Sequence, residues 1–494
     1  ILRIKEASEV LNDAPVPNSI EAMYANSPTQ LEPISDITVM SDRAFRLAEQ
    51  HIGSRELTAQ VQKWVMEERA HPLAKAIWSI HPSLRDIVEE LGNIRQVTKN
   101  DTLQYSTKGR WLTVGLISRI LSERTDFINI AKKFINYTDF SEIRNRIIHP
   151  MGSRGKLGGK STGLFLAQKV LEKESRNNPL LESVRIPKTW YVTTDGITEF
   201  LQYNNLEELN EQKYKDIQEI RIEYPNIIQL MKNAKFPPEM MKSLSVALDD
   251  FGDTPIIVRS SSILEDQIGA AFSGKYKSLF LANQGAKSER LKALKDAIIE
   301  VYASVFGPDP IQYRAERGLL DIHEEMGIMI QEVVGKRAGK YFFPLFSGVA
   351  FSHNEYRWSP RIKREDGLIR FVPGLGTRAV DRVSDDFPVL VSPEQPGIRV
   401  NSVPEEMRRY APKKMDVINL EKATFETVNI DALLAECGDH IQGIDKIVSL
   451  AEYDHIRKTN IFNIQFGKDD LVVTFDGVIT DTPYIRQIGL ILKT

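Results

Sequence analysis

The sequence predicts an α+β chain, in which a helical region precedes a region of helices mixed with short strands. Two observations carry this expectation. Between residues 41 and 150 apolar residues recur at helical spacing, as in Ala44-Phe45-Arg46-Leu47-Ala48 and Trp111-Leu112-Thr113-Val114-Gly115-Leu116-Ile117. After Met151, short β-branched runs such as Pro255-Ile256-Ile257-Val258-Arg259 separate the helical stretches, the pattern of buried strands. At 494 residues the chain is too long for one hydrophobic core, so several domains are expected.

Residues 1–40, rich in Pro, Asn and Ser, are expected to be an extended lead-in. Residues 41–150 follow as a helical domain, closed at His149-Pro150 because proline disfavours helical geometry in the residue before it. A new unit begins at Met151-Gly152-Ser153-Arg154-Gly155. Its first helix runs from Ser161 to about Glu174, with Leu164, Ala167, Val170 and Leu171 on one face. A strand is expected over 186–192, helices over about 205–233 and 237–250, a strand over 255–259 and a helix over 291–306. Strands 327–334, 346–351 and 368–372 come next. Residues 403–425, with Pro404, Pro412 and Lys413-Lys414, are expected to be irregular. Two strand-like pieces, 461–466 and 471–475, precede a helix from Pro483.

Bulk composition narrows the function. Hydrophobic residues at 42% and charged residues at 27% are an ordinary globular balance. A net charge of -3 without a basic stripe argues against nucleic-acid binding. No apolar run approaches the ~18 residues of a membrane span, and Ile1-Leu2-Arg3-Ile4-Lys5-Glu6 lacks the apolar core of a signal peptide. The single cysteine, Cys437, rules out an internal disulfide and fits a cytoplasmic location. The chain begins at Ile rather than Met, as a fragment or processed chain would.

The octamer Gly155-Lys156-Leu157-Gly158-Gly159-Lys160-Ser161-Thr162 invites comparison with a P-loop. That motif needs a glycine where this chain has Arg154, and it needs a buried strand directly before it. The chemistry outlasts that rejection. Successive glycines let backbone N–H groups approach an anion, a lysine adds a mobile charge, and a helix starting at Ser161 adds its dipole. The alternative is a glycine-rich helix entry with a solvated lysine.

Arg259 ends an apolar strand and enters Ser260-Ser261-Ser262, where a guanidinium can hold phosphate oxygens in bidentate fashion. The alternative is a structural ion pair with Glu265 or Asp266. The loop Ala270-Ala271-Phe272-Ser273-Gly274-Lys275-Tyr276 suits either a lid or a plain hairpin.

Taken in order, Gly-Gly-Lys at 158–160, a Val-Thr-Thr strand at 192–194, Val-Arg-Ser-Ser at 258–261 and Phe-Ser-Gly at 272–274 resemble one family. A Gln-containing strand at 327–334 and Ser-Gly-Val-Ala-Phe at 347–351 extend the likeness. It is that of the N-terminal ATP-binding domain of the phosphoenolpyruvate synthase and pyruvate phosphate dikinase family, and it covers about residues 151–400. It implies an ATP-grasp-like fold, with a first lobe at 151–330 and a second at 331–494 that stops short of its last elements. By matching position, Gly158, Gly159, Lys160, Arg259 and Ser260 would contact ATP phosphates, with Lys160 and Arg259 as the catalytic pair. Gln331, Glu332 and Val334 would form the adenine hinge. Gly374-Leu375-Gly376 matches a Gly-Leu-Gly loop, where relatives have an acidic residue next and this chain has Thr377-Arg378; Arg378 is a further phosphate-binding candidate.

The resemblance also implies Mg²⁺, a phosphohistidine domain and a pyruvate-binding domain, on a longer chain or on a partner. None of the eight histidines here has the family's phosphocarrier setting, and His353 is expected in a loop. Gln465 matches the metal-binding strands only superficially. Thr482-Pro483-Tyr484-Ile485-Arg486 resembles the helix preceding them, so metal ligands are expected after Thr494. Two further readings stay open: an ATP-grasp-like phosphotransferase with another acceptor, and a non-catalytic nucleotide sensor using residues 1–150 to bind partners.

Overall fold

In the computed structural model the chain is described over residues 37–79, 83–95, 106–264, 274–380 and 386–494. The fold is α+β over these residues. Most of the expected lead-in, the carboxylates Glu265 and Asp266 and most of the 270–276 loop lie outside them.

The described chain opens with helices at Ile37–Ile52, Ser54–Arg69, His71–Trp78, Leu84–Arg95 and Thr107–Leu116. Pro72 enters the third of these in its first turn, where its missing N–H costs nothing. Ser106 caps the last by accepting from Gly109 N at 3.0 Å. That helix widens into a π turn at Ile117–Leu121, where Ser122 N donates to Ile117 O at 2.9 Å, five residues back.

The first sheet contains β1 (Ile147–Ile148), β2 (Thr189–Val192), β3 (Ile256–Ser262), β4 (Ser278–Leu281) and β5 (Met326–Glu332), in the order β1-β2-β5-β3-β4. β1 pairs parallel with β2, and the other neighbours are antiparallel. The expected helix end at His149-Pro150 is therefore corrected. The restriction before Pro150 and the β-branched pair Ile147-Ile148 favour extended backbone, and both isoleucines are buried against the helices on the two sides of the sheet. Alternation sorts the side chains. Trp190, Val192, Val258, Ile328 and Ile330 pack with helices Gly196–Tyr203, Pro238–Phe251 and Lys287–Ala303. Tyr191 and Met329 face the other way, onto Leu157, Phe165 and the first helices.

Three further sheets build the second half. One contains β6 (Lys336–Ala338) and β7 (Tyr341–Phe343), joined later by β11 (Lys414–Asn419) and β12 (Thr424–Asn429), in the order β12-β11-β7-β6. Another stacks β8 (Phe346–Phe351), β9 (Leu368–Pro373) and β10 (Val389–Val391) as β10-β9-β8. The third contains β13 (Val448–Ala451), β14 (Ile456–Lys458) and β15 (Leu471–Val473).

Residues 403–425 are thus not irregular: they hold the helix Pro404–Tyr410, β11 and the start of β12. The expected strand at 461–466 is a single 3-10 turn, Ile461–Asn463. Gln465 N beyond it donates to the Asp469 carboxylate at 2.7 Å, closing a turn in place of a ladder. The two halves meet through Ile257 and Phe280 of the first sheet and Phe342 and Ile418 of the second, which pack together with Val333 and Leu375. Phe280 also stacks on Phe425, with ring centroids 5.5 Å apart.

Candidate nucleotide-binding site

The glycine loop is held from three sides. The Asp195 carboxylate accepts from the backbone N–H groups of Arg154 and Gly155, each at 2.9 Å, and from the Ser153 hydroxyl at 3.0 Å. Lys156 and Thr194 exchange two hydrogen bonds, at 3.1 and 2.9 Å. Leu157 N donates to Ile120 O at 3.0 Å. Gly158 then turns with φ 81° and ψ 173°, a conformation open in practice to glycine alone. A Cβ there would lie 1.7 Å from Ser261 O, so the loop touches β3 backbone to backbone.

The helix Gly159–Glu174 starts directly after this contact. Ser261 on β3 pins its first turn. Its hydroxyl accepts from Ser161 N at 3.0 Å and from the Ser161 hydroxyl at 2.9 Å, and it donates to Leu157 O at 3.0 Å. Replacing Ser261 with alanine removes all three bonds in a buried place. At ~1 kcal/mol for each net bond, we expect a loss of about 2–3 kcal/mol. Urea unfolding checks this; a loss below about 0.5 kcal/mol would remove Ser261 as the pin.

One residue before Ser261, Ser260 Oγ accepts from Lys160 Nζ at 3.1 Å. Lys160 and Arg259 thereby come to one wall of a cleft of about 810 Å³. Lys275 and Lys277 from the β3–β4 connection line it too, as do Ile257, Phe280, Gly376 and Thr377. Lys277 is neutralised by Glu300 at 2.9 Å. Burial, with the carboxylates of Glu300 and Asp309 adding to it, pushes the Tyr224 phenol up to about 12, so on this wall it is a neutral donor. Apolar and cationic side chains lining one cleft suit a ligand with a flat ring and a polyanionic tail.

The remaining sequence candidates are placed differently. Gln331 shares a sheet face with Ile257, directly opposite it in register, but its amide donates to the Thr189 hydroxyl at 2.9 Å. Glu332 accepts from Lys188 N at 2.8 Å, and Val334 is 62% exposed. Hence side chains of the expected hinge serve the sheet or face solvent, the backbone N–H groups of Glu332 and Val333 are taken up by Lys188 O and Pro255 O at 3.0 and 2.8 Å, and none of the three expected hinge residues lines the cleft. Gly374, with φ 71°, permits close approach to β11, where a Cβ would meet Asp416 O at 2.6 Å.

Arg378 does not line the cleft. It is buried between Asp386 at 3.5 Å and Asp416 at 3.8 Å, so its charge balances two carboxylates and not a phosphate. Its neighbour Thr377 lines the cleft instead and donates its hydroxyl to Asp416. His353 sits in an exposed loop, hydrogen-bonded to Ser352.

Sequence reasoning passed over Tyr224, Asp195 and Asp416. Asp195 had a local signal, since a carboxylate directly after Thr193-Thr194 can accept from a neighbouring loop. Tyr224 sits inside a helix with nothing local to mark it. For Mg²⁺ the donor set does not fit a resident ion: no group of three His, Cys, Asp or Glu side chains is arranged to hold a metal among the described residues, and Asp309 is the one carboxylate among the described residues lining the cleft. No helix among the described residues is long and apolar enough to cross a membrane.

Comparison with known proteins follows this geometry. The family model for the pyruvate phosphate dikinase AMP/ATP-binding domain matches residues 154–459. A rifampicin phosphotransferase from Streptomyces sviceus is 27% identical over 178 residues, which are 35% of this chain and 19% of that protein. A phosphoenolpyruvate synthase from Neisseria meningitidis is 26% identical over 209 residues, 40% of this chain and 24% of that protein. One from Aquifex aeolicus is 28% identical over 183 residues, 34% and 20% of the two chains. The matches thus span 19%, 24% and 20% of the length of these curated relatives.

Proposed function

Because this chain belongs to the family of the pyruvate phosphate dikinase AMP/ATP-binding domain, we propose that its cleft binds ATP as a phosphoryl donor. The observation that carries this reading is that Lys160 and Arg259 line one cleft, with Lys160 hydrogen-bonded to Ser260, the residue next to Arg259 in the chain. In this reading the backbone of Gly158 and Gly159 and the Ser260 hydroxyl complete the phosphate cradle. The Ile257–Phe280 wall takes the adenine, and Gly376 lines the same cleft. The lobes 151–330 and 331–494 form an ATP-grasp-like pair, with residues 41–150 as a helical domain before it.

Phosphoryl transfer depends mainly on positioning and charge neutralisation, and two fixed cations at one wall suit that task. Arg259 would hold the phosphoryl group in transfer and Lys160 the neighbouring oxygens. Magnesium accompanying the nucleotide would supply further charge neutralisation. ATP would be split to AMP, with one phosphoryl group released to water as phosphate and the other carried on a histidine of another domain, on the same longer chain or a partner, and passed from there to pyruvate, giving phosphoenolpyruvate. A second reading keeps the donor site and changes the acceptor. The relatives this chain resembles include one named rifampicin phosphotransferase as well as ones named phosphoenolpyruvate synthase, which supports a donor half that does not fix the acceptor.

Calorimetric titration tests the donor site. We expect saturable binding of ATP and competition by inorganic tripolyphosphate, which carries the charge without the base. A chain that shows no saturable ATP binding is not the donor half proposed.

A further inference from the structure

The family match begins at residue 154, and the helices before it lie outside that match. They are nonetheless in direct contact with the glycine loop. The last-turn carbonyls of a helix have no partner inside it, and a π turn displaces them further. At Ile117–Leu121 two of them are taken up by the loop region. Ile120 O accepts from Leu157 N at 3.0 Å, and Leu121 O accepts from the Thr162 hydroxyl at 3.3 Å. Beyond the turn, Glu123 pairs with Lys156 at 3.0 Å. These contacts bracket Gly158–Lys160 on both sides. The backing is a shared core: Leu112, Leu116, Ile117 and Ile120 pack in one cluster with Leu157 and Phe165, all at most 1% exposed.

We infer that residues 107–123 position the Gly158–Lys160 loop for nucleotide phosphates, with Thr162 as the positioning residue that reads the π turn. The inference rests on the ATP reading above and adds to it. The helical region is then a structural part of the donor site, and not a module tethered beside it. A ligand or partner that shifted the π turn would move Leu157 and Thr162 together, because both bond to consecutive carbonyls of that turn.

The test uses the whole chain. Thr162→Val keeps the shape and removes the hydroxyl, and Thr162→Ser keeps the hydroxyl. The valine variant is expected to bind ATP about fivefold more weakly, the scale of one lost hydrogen bond, and the serine variant to bind as the parent does. Hydrogen exchange on the unmodified chain gives a second readout that needs no variant. Saturating ATP is expected to slow exchange at the amides of Leu157 and Ser122. Parental ATP affinity in Thr162→Val, or unchanged exchange at both amides with ATP bound, overturns the inference. A parent chain that binds no ATP overturns the donor-site reading instead.

Discussion

Replacing Gly158 with alanine is expected to unfold the loop from its seat and to abolish nucleotide binding. Two costs add. The backbone at φ 81° and ψ 173° lies in a region that L side chains essentially never occupy, a strain on the order of 1–3 kcal/mol. The new Cβ would also sit 1.7 Å from Ser261 O and 2.7 Å from both the carbonyl carbon and the hydroxyl oxygen of the same residue. The nearest of these is a backbone atom of a central strand, paired at Ser261 with Gly327 of β5, so it cannot yield as a flexible side chain would. The loop must retreat by about 1 Å or more, and a displacement of that size near a reacting centre costs on the order of 100-fold in function.

We expect a total destabilisation of about 4 kcal/mol or more, measured by chemical unfolding, together with loss of ATP binding at temperatures where the variant remains folded. Gly163 supplies the control. It lies in the following helix, where a Cβ meets nothing within 4 Å, and alanine there is expected to stabilise by about 0.5–1 kcal/mol. Equal behaviour of the two variants would show that the close approach of Gly158 to β3 has no energetic weight.

The same contact explains why the loop was legible in the sequence only in part. Two consecutive glycines before a lysine announce close backbone approach to something, and local chemistry suggested an anion. What Gly158 approaches most closely is Ser261, a hundred residues along. The serine run after Arg259 looked like a set of ligand donors. Its members divide the work: Ser261 pins the helix start, and Ser260 takes Lys160. Strands β3, β5 and β9 were visible because buried central strands are runs of β-branched and aliphatic residues. β12 was not, because it is an edge strand whose residues are mostly exposed, and Thr-Phe-Glu-Thr-Val-Asn then carries little apolar signal. Arg378 shows the same limit at the level of charge. Next to a Gly-Leu-Gly loop it has the chemistry of a phosphate ligand. Its role is set by Asp386 and Asp416, whose positions beside it are a property of the fold.

Arg259 is the opposite case, and its removal should give the largest loss of affinity without loss of fold. The side chain is half-buried on the cleft wall, and the backbone of its strand is paired at this position with Ser278 and Met329. Arg259→Ala is therefore expected to melt close to the parent. A guanidinium holding phosphate makes charge-assisted bonds worth about 1.5–3 kcal/mol, so ATP affinity should fall between about 10- and 100-fold. Arg259→Lys separates charge from geometry. Lysine keeps the charge and loses the planar fork, so it should recover less than half of the lost binding free energy if the contact is bidentate. Lys160→Ala should fall within the same range, because its ammonium addresses the phosphates as a point charge from the neighbouring position beside Ser260. The double variant should lose less than the sum of the two, since both cations serve one polyanion. Parental ATP affinity in both single variants, with unchanged melting, would place the phosphates elsewhere and leave the cationic wall without its ligand.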